Sequence, residues 1–410
     1  MCLPGANSLL LDDQHRAIAG CGIDLDHLNW PFFQDEHREL AERFSAWVSA
    51  NLAVFEVDEG GDGRVARVIF ERLARDRWLD MSLPRRRDGR ERLDLRAMSI
   101  IRERCAYSSA ISDVAISEPW LGILPIALFG SGELKRKYLP SYLAGKLLPA
   151  FALSEPDAGS DAAAITATAR RDGDHYLLNG RKTWTSNSGL ADLYVVFARL
   201  EETGAISAFA VDGHAEGIVL EERLRVLSPH TVGTWTLNDC RVPLDHCIGE
   251  PGQGLKIALA VLGLFRPTVG AAAVGFARRA FFEAVARSIE RTAFKKPIAE
   301  HQLIQSKLAG MAARIDSSAL LVYRASWQHD CTAKDISRAA AIAKWQATEA
   351  ACSIIDEALQ IFGGRGVLYG TTVERLYRHA RAFRIFDGTS EIQQLIIARD
   401  LLNHSNRAGT

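Results

Sequence analysis

The sequence predicts an α+β chain in three parts: an N-terminal helical domain, a central antiparallel β-barrel or sandwich domain, and a C-terminal four-helix bundle. Two observations carry this. Apolar residues recur at helical spacing on both sides of the middle, whereas the stretch from Ala150 to Gly254 breaks into short alternating runs separated by glycines. Length supports it: 410 residues, 48% of them hydrophobic, suffice for a large core divided among two or three lobes.

Residues 1–30 hold Gly5, Gly20 and Gly22 with no sustained period and read as an N-terminal extension. Residues 31–149 read as helical. Leu40, Phe44 and Trp47 recur at spacings of four and three, and Ile69, Leu73, Trp78 and Leu79 mark a second helix. Leu95–Leu124 holds one or two more helices, and Gly130 and Gly132 turn the chain into another that runs to Leu147. Over residues 150–254 the strands are Tyr176–Leu178, Tyr194–Ala198, Ala208–Val211, Ile218–Glu221 and Gly233–Leu237. Residues 255–410 return to long helices: Leu255–Ala293 with a kink at Pro267, Gln302–Asp330, Ile336–Phe362 and Ser390–Asn403.

Composition removes several function classes. The net charge of −1 gives no global field for nucleic acid or an anionic membrane surface. Arg85-Arg86-Arg87, next to Asp88 and Glu91, reads as a solvated loop, with a contact to a phosphate-bearing ligand as the sharper reading. The seven cysteines (2, 21, 105, 240, 247, 331 and 352) form no CxxC pair and no zinc-type spacing, so reduced thiols and no metal are expected. Met1–Leu11 lacks a secretory pattern, and no run reaches about 18 uncharged apolar residues, so a cytoplasmic chain without a spanning helix is expected.

Five motifs carry chemistry. The first is Phe151-Ala152-Leu153-Ser154-Glu155-Pro156-Asp157-Ala158-Gly159-Ser160-Asp161, a turn whose backbone N–H groups, with the Ser160 hydroxyl, can approach an anion. Next comes Asn179-Gly180-Arg181-Lys182-Thr183-Trp184-Thr185-Ser186-Asn187, opening on a type I′ hairpin signal. Arg291-Thr292-Ala293-Phe294-Lys295-Lys296-Pro297-Ile298 leads to Glu300-His301-Gln302, and Gln360-Ile361-Phe362-Gly363-Gly364-Arg365-Gly366 doubles as a helix C-cap. The last is Phe386-Asp387-Gly388-Thr389-Ser390-Glu391-Ile392-Gln393.

Together these motifs resemble the signature of the acyl-CoA dehydrogenases over residues 33–403. The resemblance implies noncovalent FAD. Phe151, Leu153, Ser154, Gly159 and Ser160 would hold the ring's pyrimidine side, Trp184 would lie against the ring, and Ser186 would sit at N5. Arg291, Phe294, Gln302, Gln360, Gly363, Gly364, Thr389 and Glu391 would hold the remainder, Arg291 on the pyrophosphate. The fourth motif would serve the flavin of a neighbouring subunit, which implies a homodimer or homotetramer. Lys295 replaces the usual glycine of the third motif, a change expected to alter the loop backbone. Arg266 and Gly388 would lie near the thioester. Position 263 is glycine where coenzyme A users often have an acid, which leaves coenzyme A or an acyl carrier protein open as carrier, and Phe265 occupies the place of an alternative catalytic glutamate.

The expected reaction is α,β-dehydrogenation of an acyl thioester, with electrons passed on to an electron-transfer flavoprotein. The residue before Gly-Thr-Ser is usually the glutamate base; here it is Asp387, one methylene shorter, at a helix start whose dipole opposes basicity. Asp113 is a second candidate for the base or for a polar acyl contact. Glu155 and Glu391 read as motif and cofactor-shell residues. An oxygen-using flavoenzyme on the same fold and a non-catalytic flavoprotein that binds thioesters are the alternatives.

Overall fold

The computed structural model describes residues 26–56, 63–87, 90–332 and 334–408; the predicted extension up to residue 25, with Cys2 and Cys21, lies outside them. Five helices open the described chain: α1 (Asp35–Asn51), α2 (Arg64–Arg75), α3 (Leu95–Ser108), α4 (Ala110–Phe129) and α5 (Gly132–Leu143). On α1 the buried residues His37, Ala41, Phe44 and Val48 step by four and three, so one stripe faces inward. Asp94 starts α3 by accepting the Ala97 N–H at 3.0 Å. The predicted Leu95–Leu124 segment is two helices, because Ser109 turns to extended backbone and caps α4 through the Ser112 N–H at 3.3 Å. The arginine run lies in a short hairpin, β1 (Arg85–Arg87) with β2 (Arg90–Arg92), not a loop; Arg85 and Arg86 are exposed as expected.

The middle of the chain is one eight-stranded sheet of β3 (Pro149–Ala152), β4 (Thr168–Asp172), β5 (His175–Ser186), β6 (Leu193–Leu200), β7 (Ile206–Asp212), β8 (Ile218–Leu224), β9 (Val232–Pro243) and β10 (Cys247–Ile248). The hydrogen-bonded order is β10-β7-β6-β4-β5-β9-β8, and β3 adds to β6. Pairing is antiparallel except that β3 and β4 each run parallel to β6. Strand β6 is buried on both faces and therefore reads as a continuous apolar run. Val195 and Phe197 join the helical core, while Tyr194, Val196 and Ala198 join a second core inside the sheet. There Tyr194 meets Trp235 at 4.5 Å and Tyr176 meets Phe209 at 5.0 Å, contacts between strands that are not neighbours, so the sheet curls over its own interior.

Five helices follow: α6 (Gly254–Glu290), α7 (Gln302–Cys331), α8 (Ser337–Phe362), α9 (Thr372–Phe383) and α10 (Ser390–Ala408). Helices α6, α7, α8 and α10 are the four predicted segments; α9 lies beside α6 and α8. Helix α6 runs unbroken through Pro267 where a kink was expected. Two helices, α4 and α6, are long and apolar enough to cross a membrane, contrary to expectation, and both are mostly buried inside the fold. The apolar residues of α6 pack on α3, α7 and α8, so a core helix passes the same test of length and composition. The five described cysteines (105, 240, 247, 331 and 352) form no disulfide.

Candidate functional site

The turn between α9 and α10 brings Asp387 to where helices from both ends of the chain meet. Thr389 starts α10, its hydroxyl accepting the Ile392 N–H at 3.3 Å, which frees the two preceding residues to turn. Asp387 takes the left-handed region, φ 55°, and Gly388 follows at φ 94°. A Cβ on Gly388 would stand 2.5 Å from Gln393 Nε2, so the position requires glycine for both space and backbone. Three side chains hold this turn by its carbonyls. Arg266 Nε reaches the Asp387 carbonyl at 3.4 Å, and the Gly388 carbonyl accepts from Gln393 Nε2 at 2.9 Å and Lys344 Nζ at 2.8 Å. Burial lowers Lys344 to about 8 against the attraction of Asp387.

The Asp387 carboxylate is thus anchored through its backbone, and these bonds leave its oxygens free for chemistry. Burial and then the Glu118 charge push it up to about 6, opposed by Arg102, Lys344 and Arg266. Arg266, expected near the thioester, steadies the turn that carries the carboxylate.

A small cavity opens beside this turn among Arg102, Asp113, Glu118, His230, His379 and the rings of Phe276, Phe383 and Phe386. Asp113 does line it, but not as a free carboxylate: Arg102 Nε and Nη2 hold its two oxygens at 2.9 and 3.3 Å, and both side chains are almost fully buried. Burial raises Asp113 and the Arg102 charge pulls it back. The arginine fork on both oxygens opposes a base role for Asp113.

Three residues not singled out in the sequence join the site: Glu118, His230 and Lys344. Ser186 Oγ donates to Glu118 Oε2 at 2.6 Å and meets His230 Nε2 at 2.9 Å. Glu118 shares the apolar helix α4 with Asp113, and Lys344 sits in an alanine-rich stretch of α8; a charge in such surroundings is the signal that would have found them. Past Ser228 and His230 the cavity adjoins a larger cleft lined by Arg223, Arg225, Arg378 and Tyr369, whose arginines suit a phosphorylated ligand.

The first two motifs are stitched together. The Ser154 carbonyl accepts the Thr183 N–H at 3.0 Å, and Lys182 Nζ bridges the Leu153 carbonyl at 3.1 Å and Glu155 Oε1 at 2.7 Å. Glu155 also accepts from Thr166 N, Thr166 Oγ1 and Ala167 N, so it braces the turn and has little left for a cofactor. Phe151 packs on Phe197 at 4.9 Å, Ser154 is half-buried, and Gly159 and Ser160 are exposed. Strand β5 changes register between Lys182 and Thr185; within that bulge Trp184 adopts φ 55° and is 61% exposed. A large ring held out of the core on strained backbone suits a flat aromatic cofactor, so these residues fit a flavin.

The third and fourth motifs lie elsewhere. Arg291 caps the far end of α6, about 25 residues from Arg266 and hence roughly 37 Å along the helix axis. Gly363 and Gly364 end α8 nearby, where the Arg287 guanidinium lies 5.9 Å over the Phe362 ring. Arg291, Phe294, Gln302, Gln360, Gly363 and Gly364 are all exposed, Phe294 91% so. Glu391 is also exposed, and hydrogen bonds to its own N–H and to Thr389 keep its carboxyl low. One chain therefore brings Ser154, Trp184, Ser186, Asp387 and Thr389 into one region and leaves the other two motifs at the opposite end of the bundle.

Lys295 takes φ 68°, following Phe294 at φ 52°, so the lysine occupies left-handed backbone of the kind glycine favours. Lys295→Gly is expected to stabilise the chain by roughly 0.5–1 kcal/mol, read as a higher urea midpoint at unchanged slope. A midpoint that falls would contradict the strain at this position.

Three family models match in sequence order: the acyl-CoA dehydrogenase N-terminal domain over residues 34–146, middle domain over 150–240 and C-terminal domain over 252–402. A 3-(aryl)acrylate reductase of Clostridium sporogenes is 36% identical, with 90% of this chain and 100% of that protein aligned. The mitochondrial short-chain specific acyl-CoA dehydrogenase of Mus musculus is 39% identical over 79% of this chain and 80% of that one. Among solved structures, an acyl-CoA dehydrogenase complexed with FAD from Bacillus anthracis superposes with TM-score 0.85 at 29% identity, covering 96% of this chain and 71% of that one.

Proposed function

The chain belongs to the acyl-CoA dehydrogenase family, and from that premise we propose that Asp387 is the base with which it removes the α-proton of an acyl thioester. The enzyme is FAD-dependent and interconverts the single and double bond between the α- and β-carbons. Bound FAD supplies the acceptor for the β-hydride. The comparisons do not favour an oxygen-using flavoenzyme.

The observation that carries the assignment is the anchored, elevated carboxylate. A base works best when its pKa lies near the operating pH, and Asp387 at about 6 is both ionised at neutrality and more basic than an ordinary aspartate. Arg266, Gln393 and Lys344 hold the turn by its carbonyls, which fixes the short side chain from behind and offsets its lost methylene. The phenyl rings of Phe383 and Phe386, 4.8 Å apart, wall the cavity beside the turn. In the reductive direction the same residue, protonated, returns the α-proton.

Ser154, Trp184 and Ser186 would hold the flavin ring. Ser186 would exchange its present bond to Glu118 for the ring edge. Because Arg291 lies about 37 Å from Arg266 and the Gly363-Gly364 loop stands at that same end of the bundle, a second copy of the chain would supply them to the same cofactor, which supports a dimer or dimer of dimers. An electron-transfer flavoprotein would take the electrons.

Anaerobic titration with a panel of acyl-CoAs and acyl carrier proteins, followed by flavin absorbance, tests the reading. A thioester that bleaches the flavin is expected; failure of every thioester would overturn it.

A further inference from the structure

The acyl cavity is not the apolar slot that a saturated alkyl tail would favour. One side is aromatic, with Phe276 and Phe383 rings 5.1 Å apart. The other is polar. His379 is 5% exposed, and its Nε2 has no hydrogen-bond partner among the described residues. Desolvation, helped by Arg378 and Arg375, lowers His379 to about 3, so the ring is neutral and carries one donor and one acceptor nitrogen.

Arg102 also faces the cavity, but three of its five donors are engaged. Nε and Nη2 are on Asp113, and Nη1 reaches Thr268 Oγ1 at 3.1 Å. Its guanidinium lies 4.7 Å over the Phe265 ring. Glu118 adds a further acid, already engaged with Ser186. An acyl group that ends in a carboxylate would enter beside the Asp113 and Glu118 acids, and the Arg102 fork is already closed on Asp113. A plain methyl end would leave the His379 nitrogen buried and unsatisfied, which is costly. A hydroxyl can give or accept a hydrogen bond and so pairs with either tautomer of that ring.

We infer that the cavity selects a short acyl group carrying a hydroxyl beyond its β-carbon, with the buried, unpartnered His379 as the residue that reads it. This rests on the dehydrogenase reading and deepens it to a substrate class. The cavity is small, about 20 Å³, which limits how much of an acyl chain it takes.

The test is anaerobic flavin reduction of the FAD-loaded enzyme by 4-hydroxybutyryl-CoA, valeryl-CoA, glutaryl-CoA and 4-aminobutyryl-CoA. The first two differ only by hydroxyl against methyl. A site built to bond a hydroxyl rejects the analogue that lacks it, so 4-hydroxybutyryl-CoA is expected to half-saturate at a concentration at least about tenfold lower than valeryl-CoA. Glutaryl-CoA and the amino compound should be weaker than both. In His379→Leu, checked for retained FAD, the hydroxyl preference should fall towards unity. Valeryl-CoA equal to or better than its hydroxy partner, a best response to glutaryl-CoA or 4-aminobutyryl-CoA, or a preference that survives His379→Leu would each overturn the inference while the dehydrogenase reading stands. Reduction by none of the four nor by the wider thioester panel would remove both.

Discussion

Asp387→Asn is expected to keep FAD bound while slowing flavin reduction by an acyl thioester about 10³- to 10⁴-fold, the usual scale for loss of a positioned general base. Asparagine tolerates the left-handed backbone that Asp387 occupies at φ 55°, so the turn and its three carbonyl contacts should persist. The same substitution should stabilise the fold. Asp387 is raised in the folded state, from 3.8 to about 6, so ionising it there costs stability. That cost is absent below the unfolded value, grows as pH rises through the folded one, and is fully present above it. The variant's advantage should therefore open between about pH 4 and 6 and level off beyond, at on the order of 1–2 kcal/mol once solvent contact of the half-buried side chain is allowed for. Thermal unfolding at pH 4, 6 and 8 reads it. A variant that is inactive but gains no more over the parent at pH 8 than at pH 4 would contradict the elevated carboxylate assigned to Asp387.

Asp113→Ala carries the second large effect, on stability. It would leave the Arg102 guanidinium buried, hydrogen-bonded among the described residues to Thr268 alone and attracted only by the Asp387 and Glu118 charges, in a helix pair at the centre of the fold. Breaking one side of a buried pair costs about 3–5 kcal/mol, because the remaining charge is uncompensated. Arg102→Leu combined with Asp113→Leu should recover most of that loss, since the two positions fail together and not separately. Urea unfolding of both variants checks it. A single variant within about 1 kcal/mol of the parent would show that water or another acid reaches Arg102. The pair also separates the two candidate bases, since Asp113→Asn should cost flavin reduction far less than Asp387→Asn.

The architecture was legible because periodicity is a local signal. Leu40, Phe44 and Trp47 announce a helix by spacing alone, and the glycine-separated runs announce strands. Thr168–Asp172 and Thr372–Phe383 lie outside the expected elements: the first is a strand of five residues with three charges, whereas the second steps through Val373, Leu376, Ala380 and Phe383 at helical spacing, a period present in the sequence among its arginines. The reactive turn was legible as a motif, with Gly388 explained by the Gln393 side chain that fills the space beside it. What sequence could not supply was partnership. Asp113 stands on one helix and Arg102 on another, and nothing in either neighbourhood says that they meet. Glu155 likewise looked cofactor-directed until Lys182 and the Thr166 and Ala167 amides saturated it. Lys295 shows the reverse: the expected change in the loop backbone was instead a lysine placed on left-handed backbone.

The most direct test of the central claim is the pH dependence of single-turnover flavin reduction, measured with whichever thioester bleaches the enzyme. With Asp387 as base, the rate should rise through one ionisation near pH 6 and plateau above it. Glu118→Gln, which removes the charge that helps hold Asp387 up, should move that ionisation to lower pH. A profile without an ionisation in this range, or one that remains unchanged in Asp387→Ala, would contradict the assignment.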